Sequence, residues 1–170
     1  MTPLEQIGHL ADIPVYIVGS HPTDEIRALA SDSVQVLGWV PDLRDLYDRA
    51  RLSVAPLRYG AGVKGKVGES LAYGLPVVTT RLGAEGMGLE HEQDVLVADS
   101  AEAFAAEIVR AYRDAGLWTR LAANGRSTIA RASSPATVQA LLVGILSDIG
   151  VNVQRSGVPD EPSQPAGAPA

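Results

Sequence analysis

The sequence predicts an α/β domain built on a parallel sheet. Two observations carry that expectation. Short β-branched runs alternate along the chain with segments of helical apolar spacing, joined by connections of only a few residues. Most of the apolar runs also end within a few residues of Gly or Pro, as buried parallel strands do.

The elements follow in order. Residues 3–10 have a helix-like pattern, apolar at Leu4, Ile7 and Leu10. The run over 14–19, PVYIVG, is the first strand. Pro22 and Thr23 are start signals for a helix over 24–30. The second strand covers 34–38. After the loop over 39–42, Asp42 stands as the N-cap of a helix over 43–50. The third strand covers 52–56. A glycine-rich loop over 59–65 then runs into a helix over 66–73, closed by Gly74. Residues 75–80 and 94–98 are the fourth and fifth strands. Helices over 101–114, 117–127 and 135–149 complete a domain spanning 1–150. The stretch over 151–170 is rich in Pro, Ser, Gln and Ala. It buries too little apolar surface to offset its ordering entropy, so it reads as a flexible tail.

Composition excludes several functions. The chain has 170 residues, 46% hydrophobic and 20% charged, which is ordinary for a globular protein. Lys and Arg number 14 against 20 Asp and Glu, a formal net charge of -6. That balance argues against a general nucleic-acid or anionic-membrane binder, and leaves room for a local basic pocket. With no cysteine, disulfides, thiolate metal sites and cysteine nucleophiles are ruled out. No continuous apolar run reaches ~18 residues, so no membrane span is expected. MTPLEQIGHL shows no basic flank leading into an apolar stretch, so a reducing, cytoplasmic compartment is the expectation.

In open parallel sheets, ligands bind beyond the carboxyl ends of the strands. The loops to inspect are therefore 19–21, 38–41, 58–65 and 81–88. The loop over 58–65 is the most informative. Gly60, Gly62 and Gly65 allow close backbone approach to a ligand, and the loop feeds a helix N-terminus that favours anions. Arg58, Lys64 and Lys66 add positive charge to an acidic chain. The pattern suits a phosphate or carboxylate; a mobile loop with solvated lysines is the plain alternative. Glu69 lies three residues after Lys66 on the same helical face. It suits a ribose diol beside a phosphate, or a simple Lys-Glu surface pair. His9, His21 and His91 match no metal-ligand spacing. Ser20 and Ser70 have no visible base-and-acid partners, so a hydrolase triad is unsupported.

Residues 54–78, VAPLRYGAGVKGKVGESLAYGLPVV, resemble the signature block of retaining glycosyltransferases of the GT-B fold, the group 1 family. VYIVG over 15–19, VLGWVPDL over 36–43 and Leu46-Tyr47 resemble neighbouring segments of that family, in the same order. The resemblance implies a Rossmann-like parallel sheet with helices on both faces, the C-terminal half of a GT-B fold. It implies a nucleotide-sugar donor, with Glu69 on the ribose hydroxyls. Gly60, Ala61, Gly62, Val63, Lys64 and Lys66 would lie over the donor phosphates and sugar, joined by Arg58 and Gly19. Gly38, Trp39, Val40 and Leu43 would hold the base. Lys64 and Lys66 would stabilise the leaving diphosphate and so serve as the catalytic pair. No cofactor and no metal are implied.

Two departures qualify this. The family's E-x7-E motif puts its first glutamate at position 61, and this chain has Ala61. The resemblance also implies a missing N-terminal acceptor domain and a missing first strand, so the piece by itself should transfer no sugar. Any peripheral membrane contact would run through that missing domain. An exposed strand edge favours dimerisation, element swapping or edge reorganisation. Two other readings stand beside this one: a non-enzymatic α/β module binding an anionic metabolite or a protein partner, and a sugar-nucleotide epimerase of the same fold.

Overall fold

A computed structural model describes residues 13–60 and 62–151. The expectations for the helix over 3–10, for Ala61 and for nearly all of the tail lie outside the described residues. The chain divides into two compact units, one up to Ser134 and one from Pro135 onward.

Among the described residues, the first unit holds five parallel strands. β1 (Val15–Val18) pairs with β2 (Val34–Gly38), Val15 opposite Val34. β3 (Ser53–Ala55), β4 (Val77–Thr79) and β5 (Leu96–Val97) form a second ladder in that order. The expected parallel sheet is therefore present in two pieces. Helix α1 (Asp24–Arg27) connects β1 to β2, and α2 (Arg44–Arg49) connects β2 to β3. Helix α3 (Gly65–Ala72) connects β3 to β4, and α4 (Arg81–Ala84) follows β4. After β5 come α5 (Ala101–Arg113) and α6 (Ala115–Ser133).

Local chemistry sets the helix boundaries. Thr23, Thr80, Ser100 and Asp114 each accept a hydrogen bond from a first-turn amide and start α1, α4, α5 and α6. Helix α4 was not expected from the sequence, and α6 starts before 117 and outlasts 127 because nothing breaks it until Pro135. Helix α1 stops at Arg27, short of the expected 30. Asp42 is not the N-cap of α2; Leu43 is. The Asp42 carboxylate still accepts the Arg44 amide at 3.0 Å and pairs with the Arg44 guanidinium at 2.6 Å. Gly74 closes α3 one residue beyond its cap Tyr73, at φ +74°, which glycine adopts without strain.

Alternation along β4 and β5 divides the core between the two faces of that ladder. Val77 and Val95 pack with Val67, Leu71 and Ile129. Val78 and Leu96 pack with Ala111, Leu117 and Leu121. Helices α3 and α6 approach closely at Gly125, where an added Cβ would meet Leu71 Cδ2 at 2.6 Å and the Asp94 carbonyl oxygen at 2.9 Å. The Ser70 hydroxyl donates to Ser53 Oγ at 2.8 Å and so ties α3 to β3. Arg51, just ahead of β3, is sandwiched. Its guanidinium carbon lies 5.2 Å from the Tyr112 ring centre and 5.6 Å from that of Trp118. Trp118 Nε1 donates to the Arg51 carbonyl at 2.8 Å.

In the second unit, α7 (Pro135–Asp148) is rich in apolar residues and buries none of them, with Val138, Leu141, Leu142 and Ile145 exposed. By length and composition alone, the helical stretch Ala115–Asp148 passes as long and apolar enough to cross a membrane; its qualifying window has mean hydropathy 1.3.

Candidate functional site

The loops singled out in the sequence all stand at carboxyl ends of strands. Gly19 follows β1, and Gly38 ends β2 at φ +69°. The Gly19 amide donates to the Gly38 carbonyl at 2.9 Å, so the structure brings these two residues together. Trp39, next along, is 70% exposed. Val40 and Leu43 are half-buried. Beside Gly19, a small cavity of about 150 Å³ is lined by Ile17, Val18, Ser20 and Pro22 among others.

The glycine-rich loop links β3 to α3. Gly60 (φ +139°) and Gly62 (φ +73°) adopt backbone angles that side chains resist. Arg58, Gly60, Gly62 and Val63 are exposed. The two lysines divide in role. Lys66, on the first turn of α3, is exposed beside the helix N-terminus. Lys64 is only 8% exposed, and its Nζ donates to the Gly62 carbonyl at 2.6 Å. This buried ammonium braces the loop from within.

Glu69 is exposed in the middle of α3. Beside it the structure places a residue that the sequence analysis did not select. Tyr47, on α2 one turn after Leu43, stacks on Tyr73 with ring centres 4.8 Å apart and planes tilted by 30°. Burial pushes the Tyr47 phenol above its usual value; the Ser70 hydroxyl pulls it down and the Glu69 charge adds to the rise. Its sequence signal was the Leu46-Tyr47 pair, which resembles a neighbouring segment of the family but carried no site role. The Tyr47–Tyr73 stack thus ties α2 to the C-terminal end of α3.

A second cavity, about 1000 Å³, is lined by Arg81, Glu85, His91 and Asp99 together with apolar residues that include Leu82 and Leu89. It sits beyond the carboxyl ends of β4 and β5 and is lined by none of the residues selected for donor binding. Asp99 accepts the Arg81 amide at 2.9 Å, and His91 Nδ1 accepts the Val97 amide at 2.9 Å. Among the described residues, no group of three or more His, Cys, Asp or Glu is placed to hold a metal ion.

Residues 3–114 match the family of glycosyl transferases group 1. HepE of Anabaena, solved in complex with UDP and glucose, has a similar fold, with a TM-score of 0.71 at 17% identity. The match covers 85% of this chain and 43% of HepE. Sucrose-phosphate synthase from Thermosynechococcus elongatus is 26% identical with a TM-score of 0.64, over 87% of this chain and 42% of that one. The C-terminal domain of LpcC, a glycosyl transferase group 1 family protein from Francisella tularensis, gives a TM-score of 0.56 at 14% identity. That match covers 79% of this chain and 93% of the LpcC domain. The chain thus spans less than half the length of HepE and the synthase, and most of the isolated C-terminal domain.

Proposed function

Because the chain belongs to the glycosyl transferases group 1 family, we propose that it is the donor-binding part of a retaining glycosyltransferase acting on a hexosyl nucleotide-sugar. The observation that carries this reading is the glycine-rich loop running into α3, with Lys66 on its first turn and Glu69 one turn later. UDP and glucose in HepE, over a matched fold, support a nucleotide-sugar as the ligand class.

The division of labour follows from position. The Glu69 carboxylate accepts hydrogen bonds from the ribose diol. Lys66 and the α3 N-terminal amides face the diphosphate, where negative charge grows as the glycosidic bond breaks. Lys64 holds the loop shape through the Gly62 carbonyl. Gly38, Trp39, Val40 and Leu43 form the base end. Side-chain cations and backbone amides meet the diphosphate charge, so no metal is assigned. The setting is cytoplasmic, where nucleotide-sugars are met.

Among the described residues, β1 pairs only with β2 and β3 only with β4. One edge of β1 and one edge of β3 are therefore free, which supports a parallel strand supplied by a longer chain, together with the acceptor domain. The piece alone then transfers no sugar. The test is calorimetric titration with UDP, GDP and ADP beside the Glu69→Ala variant. The expected result is saturable binding of one nucleotide, lost in the variant. Binding that survives Glu69→Ala would remove Glu69 from the site, and sugar transfer by the isolated chain would overturn the half-site reading.

A further inference from the structure

The cavity of about 1000 Å³ beyond β4 and β5 takes no part in the donor site. Its size is at the upper end of the range usual for small-molecule sites, about 300–1,000 Å³. Four polar side chains line it, and each keeps a free group. Asp99 accepts the Arg81 amide at 2.9 Å and faces Arg81 Nε at 3.5 Å. Both terminal nitrogens of the guanidinium are left without a partner among the described residues. His91 Nδ1 accepts the Val97 amide at 2.9 Å. A nitrogen that accepts carries no proton, so the ring is neutral and its Nε2 is a donor. Glu85 is exposed, and its carboxylate has no partner among the described residues.

The cavity therefore combines donors from Arg81 and His91 with acceptors from Glu85 and Asp99. Its charge is one cation against two carboxylates, which opposes an anion. An ammonium would find acceptors but would also meet two donors that it cannot satisfy. A hydroxyl suits both kinds, because it donates and accepts. Leu89 and Val97 line the cavity while packing inward on the core, and Leu82 adds to the apolar surface. Hydroxyls around an edge and C–H groups across a face are the chemistry of a sugar ring.

We propose that this cavity is a carbohydrate subsite, through which this part of the enzyme meets a sugar acceptor. The acceptor role rests on the donor reading of the glycine-rich loop; the carbohydrate chemistry does not. Two contacts set the cavity beside that loop. β4 pairs with β3, the strand that feeds the loop. The hydroxyl of Thr80, one residue before Arg81, donates at 2.7 Å to the carbonyl of Leu57, one residue before Arg58.

The test is saturation-transfer NMR on the full chain with glucose, galactose, mannose and N-acetylglucosamine as probes. Inorganic phosphate and UDP, GDP or ADP serve as competitors. Arg81→Ala and Glu85→Ala remove exposed side chains, and thermal melting checks that both variants fold. At least one sugar should bind saturably. Each variant should weaken it about tenfold, the scale of one hydrogen bond to a charged group. Neither phosphate nor nucleotide should displace it, and both variants should bind nucleotide as the parent does. The proposal is overturned if no sugar saturates the chain, or if both folded variants bind the sugar as well as the parent. Displacement by phosphate would make the cavity an anion site and overturn it too. Displacement by bare nucleotide would put the sugar on the glycine-rich loop; the subsite then falls and the donor reading stands. Variant-sensitive sugar binding by a chain that binds no nucleotide would uphold the carbohydrate site and remove its acceptor role.

Discussion

Replacing Gly125 with alanine tests the close approach of α3 and α6. The new methyl carbon would lie 2.6 Å from Leu71 Cδ2 and 2.9 Å from the Asp94 carbonyl oxygen. Carbon contacts are comfortable at about 3.5–4 Å, so it is too close on two sides at once. Leu71 is fully buried and has little room to tilt. The Asp94 carbonyl is backbone, and its side chain is held as well, accepting the Glu90 amide and the Thr128 hydroxyl, both at 2.9 Å. Overpacking of this kind costs about 1–3 kcal/mol. The better helix propensity of alanine returns about 1 kcal/mol. The net loss is about 0–2 kcal/mol, a fall in Tm of up to roughly 8 °C for a domain of this size. Thermal melting followed by circular dichroism reads it directly. Gly68→Ala is the matched control, since its Cβ would meet the flexible end of Met87 at 3.3 Å and Ile129 Cδ1 at an ordinary 4.0 Å. That variant should melt at or slightly above the parent. Equal behaviour of the two variants would refute the argument that α3–α6 packing is limited by Gly125.

The lysines of the glycine-rich loop should separate by assay. Lys66→Ala should weaken a nucleoside diphosphate more than the bare nucleoside and leave Tm unchanged. Lys64→Ala strands the Gly62 carbonyl and should cost about 1–3 kcal/mol in melting experiments; the opposite pattern would exchange the two roles. Acid stability should report on Glu92, which pairs with Arg110. That hydrogen bond holds the Glu92 carboxyl below its usual 4.5. A lowered folded value means the pair stabilises above the unfolded value and is lost as pH falls through the folded one. Tm should therefore drop on acidification below about pH 4.5, and drop less in Glu92→Gln; equal acid profiles would contradict the pairing.

The sequence carried the outline because its strongest signals are local. Val77-Val78 beside Pro76 reads as a strand, Ser100 as a cap and Gly74 as a helix end, each from chemistry within a few residues. What escaped depends on distant contacts. Helix α4 hides among glycines and acids after Thr80, and shows only once the Thr80 hydroxyl is seen to bond both the Gly83 amide and the Leu57 carbonyl. Lys64 and Lys66 look alike on paper; the turn at Gly62 brings a carbonyl to one of them and not the other. Tyr47 enters the sequence only through the Leu46-Tyr47 resemblance, since its stacking partner Tyr73 lies more than twenty residues away. The gap between the two parallel ladders could be expected only through the resemblance, which implied a missing first strand, because no local stretch of sequence states which strand it lies beside.

The Arg51 sandwich has a practical consequence for optical work on this protein. The chain has two tryptophans. Trp118 is half-buried, bonded through its indole nitrogen and covered by a guanidinium. Trp39 stands in solvent at the end of β2. Their intrinsic emission therefore divides into a shielded, blue component and a wet, red one that a dissolved quencher reaches first. The first follows integrity of the scaffold and the second follows events at the strand end, so a single unlabelled sample reports both through separate spectral channels.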